Sequence, residues 1–139
     1  MSDAGRLPPE TPERVPAILI VEDDALIRLT LSDYLQDKGF KVLEARSGAE
    51  ALGVIAAPDF SVHLIFTDVL MPGVTDDFAL AKWMKENHPD IPVIVTSGDT
   101  EKIANAPDLG GGCQFVAKPY ELDAVAEQIR QALKQRDAS

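Results

Sequence analysis

The short run AILIV at 17–21 lacks the alternation of a strand with one wet face, and VHLIFT at 62–67 and PVIVTS at 92–97 read as two further strands. Strands that stay apolar on both sides belong to a sheet covered on both sides. Helical periodicity fills the gaps between them. Ile27, Leu31, Tyr34 and Leu35 recur at i, i+4, i+7 and i+8, and Gly39 follows as a stop. Ser47 and Glu50 form an S-x-x-E opening to a second helix, with Leu52, Ile55 and Ala56 expected on its apolar side. DDFALAKWMKENH predicts a third helix with Leu80, Ala81 and Met84 turned inward. YELDAVAEQIRQALKQ predicts the last, with a stripe of Leu122, Val125, Ala126, Ile129, Ala132 and Leu133. FKVLEA reads as a more polar strand suited to an edge, and QFVAK as a fifth strand. From Asp99 to Gly112, Pro107 and three successive glycines allow at most a short helix. Strand and helix in strict alternation imply an α/β fold with a parallel sheet and right-handed crossovers.

At 139 residues the chain is long enough for one domain with a substantial core. A net charge of −10 carries no basic footprint for nucleic acid. No apolar run approaches the 18 or so residues of a membrane span, and the first residues lack the apolar stretch of a signal peptide. One cysteine, Cys113, excludes an internal disulfide and fits a reducing, cytoplasmic setting. Residues 1–16, rich in Pro, Glu and Arg, read as a flexible tail, with a short docking peptide as the alternative. The folded unit is expected over 17–136, leaving 137–139 as a C-terminal end.

In a parallel α/β sheet the working groups lie just beyond the carboxyl ends of the strands. Glu22, Asp23 and Asp24 follow the first strand, and Asp68 the third, in LIFTDVLMPG. Thr96 and Ser97 end the fourth, and Lys118, followed by Pro119, ends the fifth. Two carboxylates about 5 Å apart repel by roughly 3 kcal/mol at an effective dielectric near 20, so such a cluster either holds protons or holds a cation. All-oxygen ligands favour a hard ion such as Mg2+. Lys118 offers a point charge for a phosphoryl oxygen, and Thr96 a hydroxyl. A carboxylate beside a divalent ion, an ammonium and a hydroxyl is suited to forming an aspartyl phosphate.

Taken together and in order, ILIVEDD, LIFTDVLMPG, PVIVTSG and FVAKPY resemble the receiver domain of bacterial two-component response regulators, of the single-domain, chemotaxis-regulator-like kind. The likeness covers about Ala17 to Gln135. It implies a flavodoxin-like, doubly wound sheet of strand order 2-1-3-4-5 with five helices in three layers. It implies Asp68 as phosphoryl acceptor, and Mg2+ held by Asp23, by Glu22 through water, by Asp68 and by the backbone carbonyl of Leu70. Lys118 would pair with the phosphoryl group. Thr96 would swing toward it, with Phe115 at the aromatic switch position; plain packing is the equal alternative for Phe115. The donor would be a phosphohistidine on a histidine kinase or phosphotransfer protein. The receiver would be no enzyme in the ordinary sense, assisting only its own phosphorylation and slow dephosphorylation. Its output would be a downstream protein target, with no direct contact to nucleic acid or membrane.

The sequence departs from the family pattern at VTDDF, where Asp77 stands in place of a usual glycine, and in the Pro- and Gly-rich NAPDLGGGCQ. No effector segment is expected after the last helix. A haloacid-dehalogenase-like phosphatase or a topoisomerase-primase-like domain needs a second Asp two residues after Asp68, where Leu70 stands. A flavin binder needs a phosphate cradle after the first strand, where three acids would repel it. A pseudo-receiver, binding partners without phosphorylation, is disfavoured by the intact acid set, Thr96 and Lys118. His63 and His88 have no Cys or His at metal spacing and read as surface or strand-edge residues. Cys113 reads as an unremarkable thiol, Trp83 and Met84 as helix packing, Asp76 and Asp77 as helix-start charge. Asp24 reads as the cap of the first helix.

Overall fold

Residues 15–57, 61–68, 78–106 and 112–138 are described by the structure, a computed structural model. The elements alternate as β1 (Ala17–Val21), α1 (Ala25–Asp37), β2 (Lys41–Ala45), α2 (Gly48–Ala56), β3 (Leu64–Asp68), α3 (Ala79–Asn87), β4 (Val93–Ser97), α4 (Thr100–Ala104), β5 (Cys113–Ala117) and α5 (Leu122–Ala138). All strand pairs are parallel, in the order β2-β1-β3-β4-β5. The chain therefore has the parallel α/β sheet expected from the alternation, in the flavodoxin-like doubly wound order that the resemblance implies. The polar strand β2 takes one edge and β5 the other.

Every residue of β1, β3 and β4 is buried, as continuous apolar runs require. Alternate side chains enter two separate cores. Leu19, Val21, Ile65, Val93 and Val95 pack with Ala51 and Ile55 of α2 and Ala81 and Met84 of α3. Ile18, Ile20, Leu64, Phe66 and Ile94 pack with Leu31 and Leu35 of α1 and with the Val125–Leu133 stripe of α5. Helices thus cover both faces, giving three layers. No helix among the described residues is long and apolar enough to cross a membrane.

The starts of α1 and α2 follow side-chain chemistry. Asp24 accepts from the amides of Leu26 (3.0 Å) and Ile27 (3.1 Å), capping α1 as expected. Gly39, at φ +98°, ends that helix in a conformation few other residues adopt. Ser47 accepts from the amide of Glu50 at 3.1 Å. The return half of the box is displaced by one residue: Glu50 accepts from the Arg46 amide at 2.8 Å, and also meets the Arg46 guanidinium. Ser47→Ala is expected to cost about 1 kcal/mol, read as a lower urea midpoint at unchanged m-value.

Several expectations need correcting. On α2, Ala51 and Ile55 turn inward with Gly48, while Leu52 is 40% exposed and Ala56 lies outside. The helix starts at Gly48, and the face that meets the sheet is set one position earlier than the apolar count implied. Leu80 is only partly buried, against the core that holds Ala81 and Met84. β3 begins at Leu64 and includes Asp68. His63, ahead of it, is not a bystander: its Nδ1 accepts from the Ala17 amide at 3.0 Å, and its own amide donates to the Ala17 carbonyl at 2.8 Å. α4 is a single five-residue turn, consistent with its breakers. α5 continues to Ala138 rather than stopping near Gln135. Asp76 and Asp77 lie outside the described residues.

The half-buried thiol of Cys113 is pushed up to about 11 by burial. It therefore stays protonated at neutral pH. Its alkylation rate is expected to climb about tenfold per pH unit from roughly pH 7 to 10, because only the thiolate reacts. A plateau near pH 8.5, the value of an ordinary exposed thiol, would contradict that burial.

Candidate functional site

Strand register assembles the site. Val21 pairs with Thr67, which sets Glu22 beside Asp68 one step on. Asp68 in turn pairs with Thr96. Ser97 pairs with Ala117, and the Lys118 amide donates to the Ser97 carbonyl at 2.8 Å. Four strands thus deliver Glu22, Asp68, Thr96 and Lys118 to one rim, which is why residues from distant parts of the chain can act together. The Lys118–Pro119 peptide bond is cis.

The Lys118 ammonium lies between two acids, 2.7 Å from Asp68 Oδ2 and 3.0 Å from Glu22 Oε1. Glu22 and Asp68 are both buried, while Asp23 is exposed beside them. Carboxylate oxygens of Glu22, Asp23 and Asp68 lie within 4.8 Å of one another. Burial pushes the Glu22 carboxyl upward, and the Asp68 charge adds to that; the Asp24 amide and Lys118 pull the other way without prevailing. Burial alone would lower the Lys118 ammonium, but its hydrogen bonds to Asp68 and Glu22 outweigh it and hold the group charged. Three carboxyl groups stand against one ammonium. Such an acidic, all-oxygen cleft fits a small divalent cation and Mg2+ in particular.

The other expected residues fall as follows. Thr96 is buried at the register of Asp68, and its Oγ1 has no hydrogen-bond partner among the described residues. A buried hydroxyl without a partner carries a desolvation cost of about 1–3 kcal/mol. Phe115 is half-buried on β5 and meets Phe78 edge to face, centroids 6.2 Å apart at 77°. Leu70 lies outside the described residues. Asp24 takes no place in the cluster; it caps α1, and its amide donates to Glu22 Oε2 at 3.1 Å.

Two residues went unnoticed in the sequence. Tyr120 packs edge to face on Phe66 at 5.7 Å, with its buried hydroxyl unpartnered among the described residues. Arg28 donates from Nη1 to the Glu22 carbonyl at 2.9 Å. The signal for Arg28 was present: it is the one basic side chain a helical turn beyond the acidic stretch.

Comparison with known proteins decides what this arrangement belongs to. The family model for the response regulator receiver domain matches residues 18–130. The chain belongs to the response regulator receiver domain family. Receiver domains of this family serve two-component systems, meet a histidine kinase or phosphotransfer partner, and bind Mg2+. Among similar proteins, Sporulation initiation phosphotransferase F of Bacillus subtilis is 30% identical over 120 residues, covering 84% of this chain and 92% of that protein. Sensor kinase CckA of Brucella abortus is 34% identical over 122 residues, covering 86% of this chain but 13% of the kinase. Response regulator protein TrrA of Thermotoga maritima, solved in complex with Mg(2+)-BeF, superposes with a TM-score of 0.74 at 22% identity, covering 85% of this chain and 99% of TrrA. The chain spans less than a third of the length of several curated relatives it matches.

Proposed function

We propose that this receiver domain accepts a phosphoryl group on Asp68 from a phosphohistidine and uses it to switch a protein-binding surface. The observation that carries the reading is Lys118 bonded at once to Asp68 and Glu22, with the Asp23 carboxylate in reach. An Asp68 carboxylate oxygen attacks phosphorus while the N–P bond of the donor breaks. The bonding pair leaves on the imidazole nitrogen, which takes up a proton from solvent. Lys118 moves its contact from the carboxylate to a phosphoryl oxygen, so charge is met without solvent reorganisation. Mg2+ held by Asp23, by Glu22 through water, by Asp68 and by the Leu70 carbonyl would supply neutralisation of phosphoryl charge. The orphan hydroxyl of Thr96, next to Asp68 in register, is the group that gains a partner when a phosphoryl oxygen appears. Phe115 would follow Thr96 by leaving its contact with Phe78. Water attacking the same phosphorus returns Asp68 slowly to its free form.

The donor protein would approach over α1 and the start of α5. A groove of about 540 Å3 opens there beside Lys118, lined by Leu26, Ile27, Thr30, Leu31 and Tyr120. Leu26, 76% exposed, offers an apolar contact at its lip. In this reading residues 17–136 form the receiver unit and work in the cytoplasm, where kinases use ATP. The relay-shuttle version, in which Asp68 passes its phosphoryl group to a second histidine, draws support from the phosphotransferase relative of nearly equal length. The adaptor version ends on a protein target.

The test is incorporation from a small acyl phosphate, followed by intact mass. One phosphoryl group per chain is expected with Mg2+ and none in excess EDTA. No incorporation under either condition would leave an interaction module that is not regulated by phosphorylation.

A further inference from the structure

We propose that Arg28 is a positioning residue for the acidic pair: its guanidinium ties the Glu22 carbonyl to Glu44 of β2, and so sets where Asp23 presents its carboxylate. This rests on the reading that Glu22, Asp23 and Asp68 hold Mg2+.

Asp23 is the exposed member of the cluster, so packing alone does not place it. Its two neighbours are tied instead. The Glu22 amide donates to the Ala45 carbonyl at 3.0 Å. The Glu22 carbonyl accepts Arg28 Nη1 at 2.9 Å. The Asp24 amide meets Glu22 Oε2, and the Asp24 carbonyl accepts the Arg28 amide at 2.9 Å. A peptide unit is planar, so fixing the Glu22 carbonyl also fixes the Asp23 nitrogen and the direction of its Cα. Arg28 is thus bonded to both neighbours of Asp23, by side chain on one flank and by main chain on the other.

The second anchor explains why the residue is arginine. Arg28 Nε bonds Glu44 Oε1 at 3.0 Å, with side-chain exposures of only 12% and 33%. A guanidinium spreads fixed donors over a plane and can reach two acceptors at once, whereas an ammonium is a single point. Glu44 also neutralises a charge that would otherwise oppose a divalent ion nearby. What Arg28 then contributes is geometry rather than attraction. Glu44 and Ala45 are adjacent on β2, so the edge strand holds Glu22 from both its amide and, through Arg28, its carbonyl.

The experiment is calorimetric titration of the full chain with MgCl2, on wild type, Arg28→Met, Arg28→Lys and Glu44→Gln. Groups that orient metal ligands typically change metal affinity by about 10–100-fold. Arg28→Met is expected to weaken Mg2+ binding by about tenfold or more. Glu44→Gln should shift it in the same direction by less, and Arg28→Lys should recover part of the loss. In the acyl phosphate assay, the Mg2+ concentration for half-maximal labelling should rise while the maximal rate changes far less. Thermal unfolding identifies variants that are simply unfolded, in which case Glu44→Gln carries the test. A folded Arg28→Met with wild-type Mg2+ affinity would overturn the positioning role, as would labelling that saturating Mg2+ does not restore. A wild type that takes up no Mg2+ at all would overturn the metal reading, and this proposal with it.

Discussion

Asp68→Asn is expected to take up no phosphoryl group under conditions that label the wild-type chain. The amide has nearly the shape of the carboxylate it replaces, so β3 and its register with Thr96 should persist. Lys118 keeps its bond to Glu22. What disappears is the nucleophile: an amide nitrogen or oxygen does not attack phosphorus at neutral pH. The measurement is intact mass after treatment with acyl phosphate and Mg2+, with far-UV circular dichroism to confirm the fold. Labelling equal to wild type would move the acceptor to another residue, and the exposed Asp23 would be the first to examine.

Leu64→Ala is expected to destabilise the domain by about 2–5 kcal/mol. Leu64 is fully buried on β3, in the core shared with α1 and α5. It pairs with Ile18 of β1, and that ladder keeps the sheet from collapsing into the cavity that truncation leaves. Against a total stability of about 5–15 kcal/mol for a domain, the loss is large. Equilibrium urea unfolding reads it as a lower midpoint. A change below about 1 kcal/mol would mean that the core around β3 is less tightly packed than its burial indicates.

How much of this was legible in the sequence follows from what each feature depends on. The central strands were legible because burial on both faces leaves nothing for a polar residue to do, as in AILIV. The site was legible because strand ends converge in a parallel sheet, so Glu22, Asp68, Thr96 and Lys118 could be placed together without knowing any contact. Asp24 could be separated from its neighbours because a cap has a fixed position relative to its helix. The inward face of α2 was legible only at Ile55. In a nine-residue helix with Ala, Leu, Val and Ile on several sides, periodicity does not single out a stripe, and the sheet selected Ala51 and Ile55 over Leu52. The contact of His63 with Ala17 joins residues 46 positions apart and has no local signature. For Arg28 the local signal was only half of what was needed. Helical spacing shows that it rises from the first turn of α1, but only the folded β2 edge reveals Glu44 as its second partner.

In the proposed function the phosphoryl group resides on Asp68. An aspartyl phosphate is reduced by borohydride to homoserine, which marks the acceptor permanently. The wild-type chain, labelled with acyl phosphate and Mg2+, reduced and digested, should carry homoserine at position 68 and nowhere else. Reduction at Asp23 or another acid, or phosphate recovered on a histidine, would contradict it.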